Sequence, residues 1–294
     1  MKDGKIVFCT GGAGDICSAR VRALGYLGAD ACIVGRNVAK TERTARILAE
    51  ARQGARVIGL GAVDVRNYES LQNAVERCVK ELGGIDFVIA GAAGNFLAPI
   101  TQLSPNAFRS VIDIDLIGSF HTLKATLPYL EKSAAKHRSD GVAPSSGTGG
   151  RIIFVSSTLQ YRGTALQIHG CAAKAGVDAL SSCLAIEFEP RGLTSNIIAP
   201  GPIAETEGLK RMARVEGYHG VAAGVPVGRC GTVKEIADAT IYLFSDTGSY
   251  VNGATLVVDG GAWRTQGAST SPVFPYPEFF LSRSIDEKAQ YAKL

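Results

Sequence analysis

Lys174 closes the run His169-Gly170-Cys171-Ala172-Ala173-Lys174, and the residue four places before it is a glycine. Side chains four apart on a helix lie one above the other. The face that presents the Lys174 ammonium therefore has no hydroxyl from position 170. Other groups able to hold or move a proton lie elsewhere in the chain. Ser156 and Ser157 follow an apolar run, Asp113 and Asp115 lie within Val111-Ile112-Asp113-Ile114-Asp115-Leu116-Ile117-Gly118, and Asp259 precedes Gly260-Gly261. Asp259 could reach a site from the C-terminal side or serve as a turn aspartate. His169 carries an imidazole, a side chain able to act as acid or base, but it stands five places before Lys174 and need not share its helix face.

A second constellation lies near the N-terminus. Thr10-Gly11-Gly12-Ala13-Gly14-Asp15-Ile16-Cys17 stands between a strand-like run and a helical one. Glycines there let backbone N–H groups and the positive end of the helix approach a pyrophosphate. Asp15 is expected to face away from the phosphates and cap the helix. Gly35-Arg36-Asn37 ends the second apolar run. A guanidinium pairs bidentately with a 2′-phosphate, so Arg36 predicts NADPH over NADH; the alternative is an exposed arginine at a strand end.

These groups need a scaffold. Runs rich in β-branched residues at 5–9, 30–35, 56–63, 87–90, 151–156, 194–198 and 254–258 alternate with stretches of 3.6-residue apolar spacing at 16–27, 39–51, 68–82, 105–130, 171–189 and 233–244. The alternation predicts an α/β Rossmann-type fold: a doubly wound, mainly parallel seven-stranded sheet with helices on both faces. Residues 1–264 form one domain on this pattern. Within it, the Gly/Ser-rich segment 133–150 is expected to be a mobile surface loop and 203–228 a lid over the substrate. In the tail, 265–294, Pro272, Pro275 and Pro277 interleave with Phe274, Tyr276, Phe279 and Phe280. Aromatics so dense are expected to pack on this subunit or on a neighbour.

Composition narrows the partners. A net charge of +4 over 294 residues is too small to suggest nucleic acid. Seven scattered cysteines without C-x-x-C spacing point to reduced thiols rather than a metal site. No basic-then-apolar leader and no charge-free apolar run of spanning length is visible, so a soluble intracellular protein without membrane insertion is expected.

The Gly-rich turn, Val155-Ser156-Ser157 and Lys174 resemble the short-chain dehydrogenase/reductase family. That family places a tyrosine where Gly170 stands, an asparagine where Asp115 stands, and glycines where Asp15 and Cys17 stand. The resemblance implies that Thr10, Gly11, Gly12, Gly14, Ile16, Asp64, Val65, Ala90, Gly91, Pro200, Gly201, Ile203 and Thr206 join Arg36 and Lys174 around the dinucleotide. Asp64 would meet the adenine amino group, Pro200-Gly201-Pro202-Ile203 would lie against the nicotinamide, and Lys174 would grip its ribose.

The two coordinated departures, with Gly94-Asn95-Phe96-Leu97, Ser104-Pro105-Asn106-Ala107-Phe108 and Thr206-Glu207-Gly208-Leu209-Lys210-Arg211, resemble the peroxisomal 2,4-dienoyl-CoA reductases. That resemblance implies NADPH-dependent reduction of a 2,4-dienoyl-CoA to a 3-enoyl-CoA in peroxisomal β-oxidation. Hydride addition at C5 delocalises charge onto the thioester oxygen, which needs stabilisation more than immediate protonation. Asp115 and Lys174 would hold a water for C2, with Asp259, Ser157 and His169 as further participants. Asn95 and Phe96 would lie near the acyl chain. Lys210, Arg211 and Arg214 would meet the CoA phosphates or form a solvated face. Ala292-Lys293-Leu294 resembles the tripeptide read by the peroxisomal import receptor. A homodimer or homotetramer is implied through the long helices at 105–130 and 171–189. Two alternatives remain open: a 3-oxoacyl-CoA or other carbonyl reductase, and an inactive nucleotide-binding scaffold.

Overall fold

A computed structural model describes residues 4–137, 149–212 and 221–265. Seven strands form one sheet in the order β3-β2-β1-β4-β5-β6-β7: β1 (Ile6–Thr10), β2 (Asp30–Val34), β3 (Val57–Leu60), β4 (Phe87–Ala90), β5 (Arg151–Val155), β6 (Thr194–Pro200) and β7 (Thr255–Val258). Every neighbouring pair is parallel. Strand side chains alternate between the two faces. Phe8, Val88, Phe154 and Ile197 enter one core, while Val7, Phe87, Ile89 and Ile153 enter the other. Both faces are covered, which is why the strands read as continuous apolar runs.

The crossover helices are α1 (Asp15–Tyr26), α2 (Val38–Ala49), α3 (Tyr68–Leu82), α4 (Pro105–Val111), α5 (Gly118–Ala134), the short α6 (Leu159–Arg162), α7 (Ile168–Phe188), α8 (Glu207–Met212) and α9 (Val233–Phe244). Several begin on side-chain caps that satisfy the free N–H groups of a first turn. Asn37 accepts from Lys40, Asn67 from Ser70 and Ser104 from Ala107, while Thr232 and Glu235 cap each other. The strand order reverses between β1 and β4. A parallel sheet opens a ligand crevice at that point, outside the strands' carboxyl ends.

The elements depart from expectation in a few places. The strand expected over 56–63 stops at Leu60 because Ala62 turns to a positive φ of 57°. The helix expected over 105–130 is divided: α4 and α5 are separated by a π-helical turn, Ile112–Ile117. Such turns insert a residue into the helix and recur at functional sites. Helix α5 then runs to Ala134 and a 3-10 turn to His137, so the segment expected to be a loop from 133 starts helical, with Ser133 and Ala134 buried. The rest of it to 148, the tail from 266 including Ala292-Lys293-Leu294, and residues 213–220 of the expected lid, with Arg214, lie outside the described residues. No helix among the described residues is long and apolar enough to cross a membrane.

Candidate active site and cofactor cleft

The π turn carries Asp115 inward until it is 2% exposed. One carboxylate oxygen accepts the Gly94 N–H at 2.7 Å, and the other lies 3.0 Å from Lys174 Nζ. Lys174 also donates to the Val155 carbonyl at 2.9 Å. One ion pair therefore fastens together the turn after β4, the π turn, the end of β5 and helix α7. Through the Gly94 N–H, Asp115 also satisfies a backbone group of the turn after β4. An ammonium has three N–H donors. Lys174 spends two here and keeps one for a ligand.

Helix α7 starts at Ile168, three residues earlier than the spacing predicts, which brings His169 and Gly170 into its first turn. The space beside Gly170 is occupied. A Cβ built there would stand 3.0 Å from Asn95 Nδ2 and 3.1 Å from Asn95 Oδ1. Asn95 is held by Gln167, whose Oε1 accepts from Nδ2 at 2.7 Å, and by the Phe96 N–H, which donates to Oδ1 at 2.9 Å. Gln167 was not anticipated. It lies in a loop, where no periodicity marks a functional position, and only its burial and the positive φ of Leu166 beside it, 65°, set it apart. A left-handed leucine costs on the order of 1–3 kcal/mol and persists only where its surroundings impose it.

His169 does not face the cleft. It is fully buried, stacks on the Phe96 ring at 4.3 Å between centroids, and has Nε2 3.0 Å from the Phe96 carbonyl. A carbonyl only accepts, so Nε2 carries the hydrogen. Its place is that of an anchor for Phe96 rather than an acid. Tyr161 offers no substitute phenol: its hydroxyl donates to Asp178 at 2.5 Å, and burial together with that carboxylate pushes it up to about 12.

Away from Asp115 the crevice widens into a cleft of about 820 Å³. It is lined by Gly11, Gly14, Ile16, Arg36, Asp64, Val65, Gly91, Asn95 and Thr206 among others. Gly11 has a φ of +66°, and a Cβ on it would stand 2.9 Å from Ala92 Cα, so the β1 turn and the β4 turn meet backbone to backbone. Thr10 Oγ1 ties them further by accepting from Gly91 and Ala92 at 3.1 and 3.3 Å. Thr10, Gly12 and Ala90 are buried behind the wall. They shape the cleft without lining it. Arg36 is exposed at the rim beside Lys40 and Asn37, and Asp64 is held below the usual carboxylate range by the Arg66 guanidinium. A narrow backbone cradle at a helix N-terminus, with cations at the far end, fits a dinucleotide.

Several expected participants are engaged with their own turns. Asp15 does not cap α1, whose N-cap is Gly14 without a side-chain bond. As the first helical residue it is exposed, lines the cleft and accepts the Glu207 N–H at 2.8 Å. Thr206 accepts from Leu209 and donates to the Ile203 carbonyl, and Ile203 bridges to Gly231. Ser157 donates to Gln160 at 3.1 Å. Asp259 accepts from the N–H groups of Gly261 and Trp263 at 2.9 and 2.7 Å and backs directly onto Gly201 of the Pro200-Gly201 turn. Arg211 pairs with Glu207 and lines the cleft, while Lys210 is exposed.

Comparison with known proteins bears on this geometry. A family model described as enoyl-(acyl carrier protein) reductase matches residues 11–262. The peroxisomal 2,4-dienoyl-CoA reductase, (3E)-enoyl-CoA-producing, of Saccharomyces cerevisiae is 49% identical, over 88% of this chain and 84% of that protein. Its counterpart in Danio rerio is 40% identical, over 89% and 82%. Among solved structures, a short chain dehydrogenase from Bacillus anthracis matches with a TM-score of 0.72 and 34% identity, covering 88% of this chain and 96% of that one. Levodione reductase matches with a TM-score of 0.79 at 25% identity, covering 90% and 99%.

Cys17, another cleft residue, carries a testable charge. The Cys9 thiol beside it and the Arg20 guanidinium bring its pKa down to about 7, against the opposing effect of burial. Arg20 is fully buried, and its two Nη atoms find no hydrogen-bond partner among the described residues. Alkylation of Cys17 by iodoacetamide, followed by mass spectrometry, is expected to accelerate as pH rises through about 7 and to slow when a dinucleotide covers the turn. A midpoint near the ordinary thiol value, or no protection, contradicts this placement.

Proposed function

The chain belongs to the short-chain dehydrogenase/reductase family, and from that premise we propose that it reduces 2,4-dienoyl-CoA to (3E)-enoyl-CoA in the peroxisome, with NADPH as the reductant. The observation that carries the proposal is the buried Asp115–Lys174 pair opposite a position 170 that has no hydroxyl. The identity to reductases of that name supports the substrate class. A nicotinamide cofactor follows from the family; the preference for NADPH rests on Arg36 at the end of β2, with Lys40 beside it.

When bound, the nicotinamide supplies a hydride. What remains is work for the protein's own side chains. Lys174, anchored by Asp115 and the Val155 carbonyl, has one N–H left, which would hold the ribose and so fix the ring's position. Asn95, with one N–H committed to Gln167, offers the other to the thioester oxygen as negative charge gathers there. An amide N–H stabilises that oxygen without surrendering a proton to it. Asp115, whose oxygens each keep a lone pair beyond Gly94 and Lys174, holds the water that delivers a proton to C2, and solvent protonates the hydroxide left behind. Asp259 backs the Pro200-Gly201 turn, against which a nicotinamide would lie. Each of its oxygens keeps a lone pair beyond its backbone bond, so it is a second carboxylate able to hold the water that gives that proton. Lys210 and Arg211 meet the CoA phosphates, and the subunits pair through α5 and α7.

A carbonyl reductase must protonate an alkoxide oxygen within the site. Gly170 cannot do so, and Tyr161 is tied to Asp178. The ketone-reducing reading is therefore the weaker one.

Two measurements test this assignment. Asp115→Asn keeps the shape and removes the charge, so kcat for a 2,4-dienoyl-CoA is expected to fall roughly 100-fold or more while the NADPH dissociation constant is retained. Loss of turnover in His169→Ala with activity kept in Asp115→Asn would reverse the roles. Arg36→Asp is expected to move the preference from NADPH toward NADH, and an unchanged ratio of the two kcat/KM values removes Arg36 from the 2′-phosphate site.

A further inference from the structure

Gly170 lacks a hydroxyl, and the space in front of it is filled. The Asn95 carboxamide lies there, with Nδ2 at 3.0 Å from where a Cβ would begin. Its orientation is fixed at both ends. Oδ1 takes the Phe96 N–H, and one hydrogen of Nδ2 goes to Gln167 Oε1. The second hydrogen is the only donor of the carboxamide left for a ligand in the cleft that Asn95 lines.

Gln167 itself is held in place by a lattice of contacts between two loops. The Ala98 N–H donates to the Leu166 carbonyl at 2.9 Å, His169 Nε2 donates to the Phe96 carbonyl at 3.0 Å, and Phe96 stacks on His169. Together with the Asn95–Gln167 bond at 2.7 Å, the segment 95–98 is laced to 166–169 along its length. Leu166 takes a left-handed conformation within the lattice, as expected where surroundings over-determine the backbone. Gln167 is 8% exposed and its side-chain oxygen is directed at Asn95 rather than at solvent.

We infer that Gln167 is a positioning residue for the reduction: by accepting one amide hydrogen of Asn95 in the space left by Gly170, it aims the other at the thioester oxygen and makes the site selective for conjugated thioesters over ketones. This rests on the dienoyl-CoA reading above. The selectivity follows from acidity. A phenol can pass a proton to an alkoxide, whereas a carboxamide N–H only hydrogen-bonds. A donor of that kind serves an oxygen whose charge will return to carbon and fails one that must become a hydroxyl.

The test compares Gln167→Ala with Gln167→Glu in the full-length protein. Glutamate keeps an acceptor oxygen at the same reach. Gln167→Ala frees the Asn95 amide to rotate, and a misplacement of about 1 Å can cost roughly 100-fold. For 2,4-dienoyl-CoA, kcat is therefore expected to fall on that order in Gln167→Ala, with KM and the NADPH dissociation constant changed less than threefold. Gln167→Glu is expected to regain at least a tenth of the wild-type kcat. Three results would overturn the inference: an unchanged kcat in Gln167→Ala, a loss in KM or NADPH affinity matching the loss in kcat, or a Gln167→Glu protein that folds to the wild-type melting temperature yet is as slow as Gln167→Ala. If Gln167→Ala does not fold, the Gln167→Glu rate decides alone, near wild type supporting the role and 100-fold down refuting it. Wild-type protein inert toward 2,4-dienoyl-CoA would instead remove the proposed function itself.

Discussion

One buried ion pair organises this site. Asp115 and Lys174 lie 3.0 Å apart, one almost wholly buried and the other nearly so. Charges withdrawn from water are tolerated only when each finds the other and the remaining hydrogen-bond capacity is filled. Gly94, Val155 and the pair itself fill most of it and leave one N–H of Lys174 for a ligand. Removing one partner from such a pair costs about 3–5 kcal/mol, because the other is left uncompensated. The π turn, the β4 turn, the end of β5 and α7 are therefore kept in register by a requirement of electrostatics before any substrate enters.

From that constraint the chemistry takes its character. The usual phenol is missing, and the structure does not leave a hole where it would stand; it inserts the Asn95 amide, steered by Gln167. A hydrogen-bond donor that is not an acid suits a reaction in which charge spreads from carbon through a conjugated chain to the thioester oxygen and back. The Gly11 turn meets the β4 turn backbone to backbone, and the Pro200-Gly201 turn packs directly on Asp259.

Much of this was legible in the chain. Alternating apolar runs marked the sheet because strands buried on both faces cannot hide their composition, and α3 and α9 ended where their periodicity placed them. Asp115 and Gly170 stood out because their residue types departed together from a family pattern, and Lys174 because it was kept. What was not legible depended on distance in space. The π turn leaves no mark in a 3.6-residue pattern, so 105–130 read as one helix. Asp15 was expected at its own helix cap but reaches a residue nearly two hundred places away. His169 looked like an acid by residue type and is an anchor by burial. Gln167, in a loop with a strained neighbour, had no spacing to announce it.

The central claim is that this site moves charge through a conjugated thioester and returns a proton to carbon. Single turnover of a 2,4-dienoyl-CoA with NADPH deuterated at the transferred position, read by NMR of the product, tests it most directly. The account predicts a 3-enoyl-CoA carrying the deuterium at C5 and a solvent-derived hydrogen at C2. Deuterium on a hydroxyl-bearing carbon from a 3-oxoacyl-CoA, with the diene left untouched, would contradict it.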